Sequence, residues 1–381
     1  MNPIIILGSG LAGYNVAREL RKLDKDVPLV VVSADSGSFY SKPMLSSAFG
    51  SGKTAQTIAL HSAEQMAAQI NATVRANTRV TAIDAIAQTI NIGDETIAFS
   101  KLVLALGADQ IRLPIGGDGA DAVVTVNDLD DYARFRAALQ EKSTVALIGA
   151  GLIGSEFAND LTTGGHSVHV IDVAAWPLSR LLPQQGGALL QEKLAALGVN
   201  WHLGTSVKTI AKGGGKLHVT LGDDTAFDAD IALSAVGLRP RTALAQAAGI
   251  ETNRGIVANR LHETSAADVY ALGDCAEVEG LILPYVMPIM HSARALAATL
   301  AGKPAPVSYP AMPVLVKTPA CPTIVAPPPA NAAGKWEIMA DNDGVKALFK
   351  SGDGKLLGFA LNGKATAERA ALAAQLPPVL A

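Results

Sequence analysis

Cysteine is nearly missing from this chain: Cys275 and Cys321 are the only two thiols in 381 residues. Two cysteines cannot build a disulfide framework or a zinc cluster, so a reducing cytoplasm fits best. Long apolar runs are missing as well. No stretch approaches the roughly 18 uninterrupted residues of a membrane span. The positive mean hydropathy comes from alanine and glycine. The opening MNPIIILGSG carries no basic segment, long apolar region or small-residue cleavage site, so export is not expected. A net charge of -3 offers no polycation for nucleic acid or an anionic membrane surface, and nucleic acid is not expected as a partner. With 49% hydrophobic and 17% charged residues the chain is far from disorder, and its length suits roughly two to three domains.

What is present is punctuated by glycine. In PIIILGSGLAGYNVAREL, Ile4 to Leu7 form a short apolar strand. Gly8, Gly10 and Gly13 spell G-x-G-x-x-G, and Val16, Ala17, Leu20 and Leu23 recur at helical spacing. Backbone amides at such a helix start face a pyrophosphate, and side chains in place of the glycines would block the turn, the ligand and the helix packing. A second strand, Leu29 to Val32, ends at Ser33, Ala34 and Asp35, about 20 residues on, where a carboxylate takes ribose hydroxyls. The pattern recurs in STVALIGAGLIGSEFANDL, with strand Val145 to Ile148, then Gly149, Gly151 and Gly154, then a helix turning Phe157, Ala158 and Leu161 inward. Its second strand, SVHVID, ends at Asp172. Two fingerprints imply two dinucleotides, most simply FAD and a nicotinamide cofactor, and hence a flavin oxidoreductase. Asp172 would bind a ribose diol and repel a 2'-phosphate, and no arginine adjoins it before Arg180, so NADH is favoured over NADPH.

Between the fingerprints TRVTAIDA, QTINI, ETIAF and KLVLALGA read as short strands, with a hairpin turn at Gly93 and Asp94. KLHVTL, DDTAF and ADIALSAVG repeat the arrangement after the second. Pro114 with Gly116 and Gly117, and Gly237 with Pro240, mark crossings between domains. From about Tyr309, VLVKTP, KWEIM, VKALF and KLLGFAL suggest a small antiparallel sheet followed by a helix near Ala365 to Leu376. That helix is rich in alanine and lacks a strong apolar face, so it is no membrane anchor. FYSKPMLSSAFG reads as a turn and then a helix start after Pro43.

The paired fingerprints, KLVLALGA, SAVGLRPRT and above all VYALGDCAEV resemble the FAD-dependent pyridine nucleotide reductases over essentially the whole length. YSKPMLS, ALGDCAEVEGLILPYVMP and PVLVKTPACP resemble the bacterial rubredoxin reductase branch. The resemblance implies an α/β fold with two Rossmann-like, glutathione-reductase-like domains and a small α+β C-terminal domain. It implies an FAD-binding domain in two segments (1–109 and 236–308), an inserted NAD-binding domain (110–235) and an interface domain (309–381). It also implies a reaction in which NADH reduces flavin and flavin reduces rubredoxin one electron at a time. A flavorubredoxin or ferredoxin would be an alternative acceptor, and a non-catalytic NADH-sensing flavoprotein is the rival of another class.

Carried over by residue, the resemblance places Gly8, Ser9, Gly10, Leu11, Ala12, Gly13, Ser33, Ala34 and Asp35 on FAD, with Val80 at the adenine and Asp274 at the phosphate and ribityl region. Val286 opens a helix toward the flavin. Gly149, Gly151, Leu152, Ile153, Gly154, Asp172 and Gly237 fall to NAD. There are departures: Ala34 stands where many relatives have glutamate, and Ser47 stands where the ferredoxin-reductase branch has the lysine that pairs with Glu156. The cationic partner of Glu156 must then come from elsewhere, with Lys42 and Lys317 as candidates, and one of the two, oriented by Glu156, is expected beside the flavin to stabilise the negative charge that hydride transfer leaves on it. No cysteine lies between Ser41 and Leu45, so no internal disulfide or peroxide-reducing thiol is expected there. Cys275 and Cys321 are expected to be buried and inert. Arg112, Arg294, Lys303 and Lys317 are the basic residues considered for a face that docks an acidic carrier.

Overall fold

The computed structural model describes all 381 residues. Ile4–Leu7 is buried at every position, as a strand of a parallel sheet covered on both faces must be. Its sheet runs in the order Val269–Ala271, Lys101–Leu104, Ile4–Leu7, Leu29–Val32, Thr73–Arg75, all parallel. The outermost strand, Val269–Ala271, arrives only after a second sheet has been built. That second sheet repeats the plan with Val199–Leu203, Ser167–Asp172, Thr144–Ile148, Ile231–Ser234 and Val123–Val124. In each, the fingerprint strand lies in the middle, with its next strand on one side and a later strand on the other. The carboxyl ends at such a reversal form a crevice where ligands bind in open α/β sheets.

Each sheet carries a three-stranded antiparallel companion. In Ala82–Asp84, Thr89–Ile92 and Glu95–Ala98, Ile92 pairs with Glu95 across the two-residue turn Gly93–Asp94, and Gly93 has φ +58°. The other is Val207–Gly213, Lys216–Leu221 and Ala226–Ala229. Where the chain leaves the first sheet and where it returns, Ala108–Gln110 and Leu238–Pro240 pair antiparallel, so both crossings form one ribbon. The C-terminal part is a five-stranded antiparallel sheet ordered Val314–Val316, Thr323–Ala326, Leu356–Gly363, Gly344–Lys350, Lys335–Asp341. It is not an appendage. Val316, Val345 and Ala347 share one buried core with Leu45 and Ala48 and with Phe157 and Leu190.

Three local expectations need correction. Lys42–Ser47 is a 3-10 helix, not an α-helix start. The reason is competition for backbone groups: the amides of Phe49 and Gly50 turn to the Asp160 carboxylate at 2.8 and 3.0 Å. Leu23, counted with Val16, Ala17 and Leu20 in the helical spacing, ends its helix and is 52% exposed. The terminal helix shrinks to a 3-10 turn, Lys364–Glu368, and a five-residue α-helix, Arg369–Ala373, that buries only Leu372. Alanine offers little area to bury, and the tail then leaves to bridge Leu380 to Tyr309. No helix is long and apolar enough to cross a membrane.

Candidate functional site

Both fingerprints open on one cleft of about 2090 Å³ between the two parallel sheets and the C-terminal domain. The six glycines divide into two kinds. A Cβ on Gly8 would lie 2.2 Å from Ala105 O, and one on Gly13 would lie 1.9 Å from Gly8 O. In the second copy the same test gives 2.8 Å from Gly149 to Ala235 O and 1.8 Å from Gly154 to Gly149 O. These four positions need glycine because the protein itself comes too close. The middle glycines, Gly10 and Gly151, have no atom within 4 Å of an added Cβ. Nothing in the protein requires them to be bare, so the room in front of them is for a ligand.

Three helices begin at this cleft, with N-caps at Gly10, Gly151 and Tyr285, and none carries an acidic residue in its first turn. Their amino ends are left to attract an anion. Leu11 and Ala12 follow the first cap, and Leu152 and Ile153 follow the second. Val286, 36% exposed, opens the third. Gly237, at φ +124°, accepts from Ile111 N through its carbonyl and faces the second cradle.

The carboxylates at the strand ends brace these loops. Asp35 Oδ1 accepts from Ser33 Oγ at 2.5 Å, Ser9 Oγ at 3.0 Å and Gly37 N at 2.9 Å, so it ties the first fingerprint to the second strand. Ala34 is exposed beside it, and Val80 reaches the cleft from the neighbouring loop. Asp172 does the same in the other copy, with Oδ2 accepting from Ala150 N at 2.6 Å and Oδ1 from Ala174 N at 2.8 Å. Each Asp172 oxygen keeps a further lone pair, as does Oδ2 of Asp35.

Deeper in, Glu156 is fully buried on the Leu152–Thr163 helix. Its Oε1 accepts from Lys317 N at 3.0 Å, and its Oε2 accepts from Ser46 Oγ at 2.5 Å and from the Lys317 ammonium. Of the two candidate lysines the structure therefore brings Lys317 to Glu156 and takes Lys42 elsewhere. Packing decides this: Lys42 lies at the start of its 3-10 turn and points to Asn127, whose Oδ1 accepts at 2.7 Å. Ser46, one residue before the expected lysine position, completes the set. On the same helix face Asn159 Oδ1 accepts from Ala320 N at 3.1 Å, and Asp160 holds Phe49 and Gly50. Sequence reasoning missed Ser46, Asn127, Asn159 and Asp160. The spacing of Glu156, Asn159 and Asp160, three polar residues on one face of an apolar helix, was the available signal.

Lys42 and Asp274 are the strongest charged influences on each other. Burial lowers the Lys42 pKa and raises that of Asp274, and their mutual attraction opposes both shifts. No thiol lines the cleft. Cys275 and Cys321 are buried and free, and burial pushes the Cys275 thiol up to about 11. Arg112, Arg294 and Lys303 are exposed away from the cleft wall, whereas Lys317 is on it.

Residues 2–298 match the family model described as pyridine nucleotide-disulphide oxidoreductase. The chain belongs to that family. Residues 306–376 match the rubredoxin binding C-terminal domain. This oxidoreductase is similar to a rubredoxin-NAD(+) reductase of Alcanivorax borkumensis, 49% identical with all of both chains covered. It is also similar to a nitric oxide reductase FlRd-NAD(+) reductase of Salmonella arizonae, 37% identical over 98% of this chain and 99% of that one. Among solved structures, a ferredoxin reductase from Rhodopseudomonas palustris superposes with TM-score 0.88 at 24% identity, covering 99% of this oxidoreductase and 96% of the other chain. The disulphide of the family name has no counterpart in this cleft.

Proposed function

We propose that the protein is a cytoplasmic FAD-dependent NADH:rubredoxin oxidoreductase. The observation that carries it is one cleft bearing two open cradles and no thiol: electrons that enter from a dinucleotide have no internal disulfide to reduce and leave to an external acceptor. FAD held there would supply the chemistry, acceptance of a hydride and release of single electrons to an iron-thiolate carrier. The fit is in the bare Gly10, the anion-seeking helix ends and the buried Asp274. In this reading, segments 1–109 and 236–308 hold FAD, 110–235 holds NADH, and 309–381 meets rubredoxin.

The residues act by holding and orienting. Gly8 to Gly13 with Ser33 to Asp35 and Val80 position one dinucleotide, and Gly149 to Gly154 with Asp172 and Gly237 position the other. Glu156 locks Lys317 into the wall between them, which fixes the C-terminal domain against the site of hydride transfer. The first test is anaerobic turnover with NADH and three competing acceptors: rubredoxin, a [2Fe-2S] ferredoxin and a flavorubredoxin. Bleaching of rubredoxin at least about tenfold faster than of the others is expected, a difference of about 1.4 kcal/mol in transition-state binding. Equal rates would refute the acceptor assignment.

Nicotinamide choice is assigned to Asp172. Asp172→Ala should lower the ratio of kcat/KM for NADH over NADPH by about tenfold or more, because the repulsion of a 2'-phosphate and the grip on the ribose are both lost. A ratio that does not move would remove Asp172 from that role.

A further inference from the structure

The two lysines on the cleft are held in chemically opposite ways. Lys317 is neutralised, since its ammonium rests on the fully buried Glu156. Lys42 forms no ion pair, and its single hydrogen-bond acceptor is a neutral amide oxygen, Asn127 Oδ1, at 2.7 Å. A carboxylate cancels the charge it binds. A neutral acceptor satisfies one N–H of an ammonium and leaves its charge in place.

Asn127 is itself fixed. Its Nδ2 donates to Ala108 O at 2.9 Å, and its backbone N–H donates to Asp131 Oδ2 at 2.9 Å. With Nδ2 committed to a carbonyl, the one acceptor oxygen of the amide faces Lys42. Ala108 opens the strand that pairs with Leu238–Pro240, and Asp128, the next residue, caps the Leu129–Ala138 helix through Asp131 N at 2.8 Å. Asn127 is thus anchored to the ribbon where the chain crosses between the sheets and to the helix that follows it. It reaches from there to a lysine 85 positions away in the chain.

We propose that Asn127 is a positioning residue that holds the Lys42 ammonium on the cleft, making Lys42, which no carboxylate contacts, and not Lys317, the source of positive charge for the flavin held there. The inference rests on the flavin reading of the cleft and is independent of which carrier accepts the electrons. Burial is the largest influence on Lys42 and lowers its pKa, Arg241 acts in the same direction, and Asp274, Asp128 and Asp109 act against it. Lys42 therefore loses its proton at a lower pH than an exposed lysine.

The test is the midpoint potential of the flavin in the holoprotein as a function of pH, an equilibrium reading that needs neither NADH nor an electron carrier. The wild type should show an alkaline break where Lys42 loses its charge. In Lys42→Met the break should disappear and the potential should be lower below it. Asn127→Leu removes the acceptor and should move the break down by about one pH unit, whereas Asn127→Asp adds a negative charge and should move it up by about one unit. Opposite movements from one position are not what a merely structural residue gives. A break that survives Lys42→Met, or that stays in place in both Asn127 variants, overturns the proposal. If Asn127→Leu does not retain flavin, Asn127→Asp decides alone, and the absence of an upward movement overturns it. A protein that shows these shifts but turns over no iron-thiolate carrier keeps this inference and loses the acceptor assignment.

Discussion

Gly151→Val gives a protein that is folded and yellow and that NADH does not reduce. The backbone at Gly151 is extended, φ -71° and ψ -168°, which any residue adopts, and an added Cβ meets nothing within 4 Å. The substitution therefore costs little in the protein. Its side chain stands instead where a pyrophosphate approaches the amino end of the Leu152–Thr163 helix, so the loss falls on ligand binding. Gly10→Val is the mirror case: the same open space and an extended backbone predict a folded protein that is colourless, because the flavin cradle is the one obstructed. Gly154→Ala behaves differently from both. Its Cβ would lie 1.8 Å from Gly149 O, a backbone atom that cannot step aside, so the protein itself should lose about 3 kcal/mol of stability. Flavin absorbance, anaerobic titration with NADH and thermal unfolding separate the three. A Gly151→Val protein reduced by NADH with unchanged KM would show that the second cradle is not the nicotinamide site.

Glu156→Leu should be the most damaging single change in the wall of the cleft. It leaves the Lys317 amide and the Ser46 hydroxyl without their partner and the Lys317 ammonium without its counter-charge, at a cost of about 3 kcal/mol. Because these contacts join segments 42–50, 152–163 and 317–320, the loss loosens the geometry between the nucleotide site and the C-terminal domain. Turnover with rubredoxin should fall by about 10²-fold, the scale on which small misplacements act. Lys317→Met removes only the ammonium and keeps the backbone bond, but it leaves a buried carboxylate without its counter-charge. Since the two residues act as one unit, the double variant should be no worse than Glu156→Leu alone. Losses that simply add, or a Glu156→Leu protein with wild-type stability and turnover, would show that the junction has no such role.

The two nucleotide folds were legible because each is a local matter. Strand, G-x-G-x-x-G turn and helix lie within one short stretch, and the clash that demands glycine at Gly13 or Gly154 comes from a carbonyl five residues back. Asp35 and Asp172 follow at strand ends for the same reason. Segments without periodicity were not legible. Thr323–Ala326 is buried at all four positions between Pro322 and Pro327, so it shows no alternation, and only its pairing with Val314–Val316 and Leu356–Gly363 makes it a strand. In FYSKPMLSSAFG the proline placed the turn correctly. The 3-10 geometry depended on Asp160, more than a hundred residues away, drawing off two amides.

The sequence by itself determined that this protein carries two dinucleotide cradles and no redox cysteine pair, since fingerprints and missing thiols are readable within a few residues, and the family resemblance added a carboxylate, Glu156, in need of a cation. Only the tertiary structure decided that Lys317 meets Glu156 across 161 positions and that Lys42 turns to Asn127 across 85. A side-chain pair is chosen by which elements pack together, and the choice between two lysines near one carboxylate was made by the C-terminal domain, whose segment 317–320 bonds to the helix that bears Glu156.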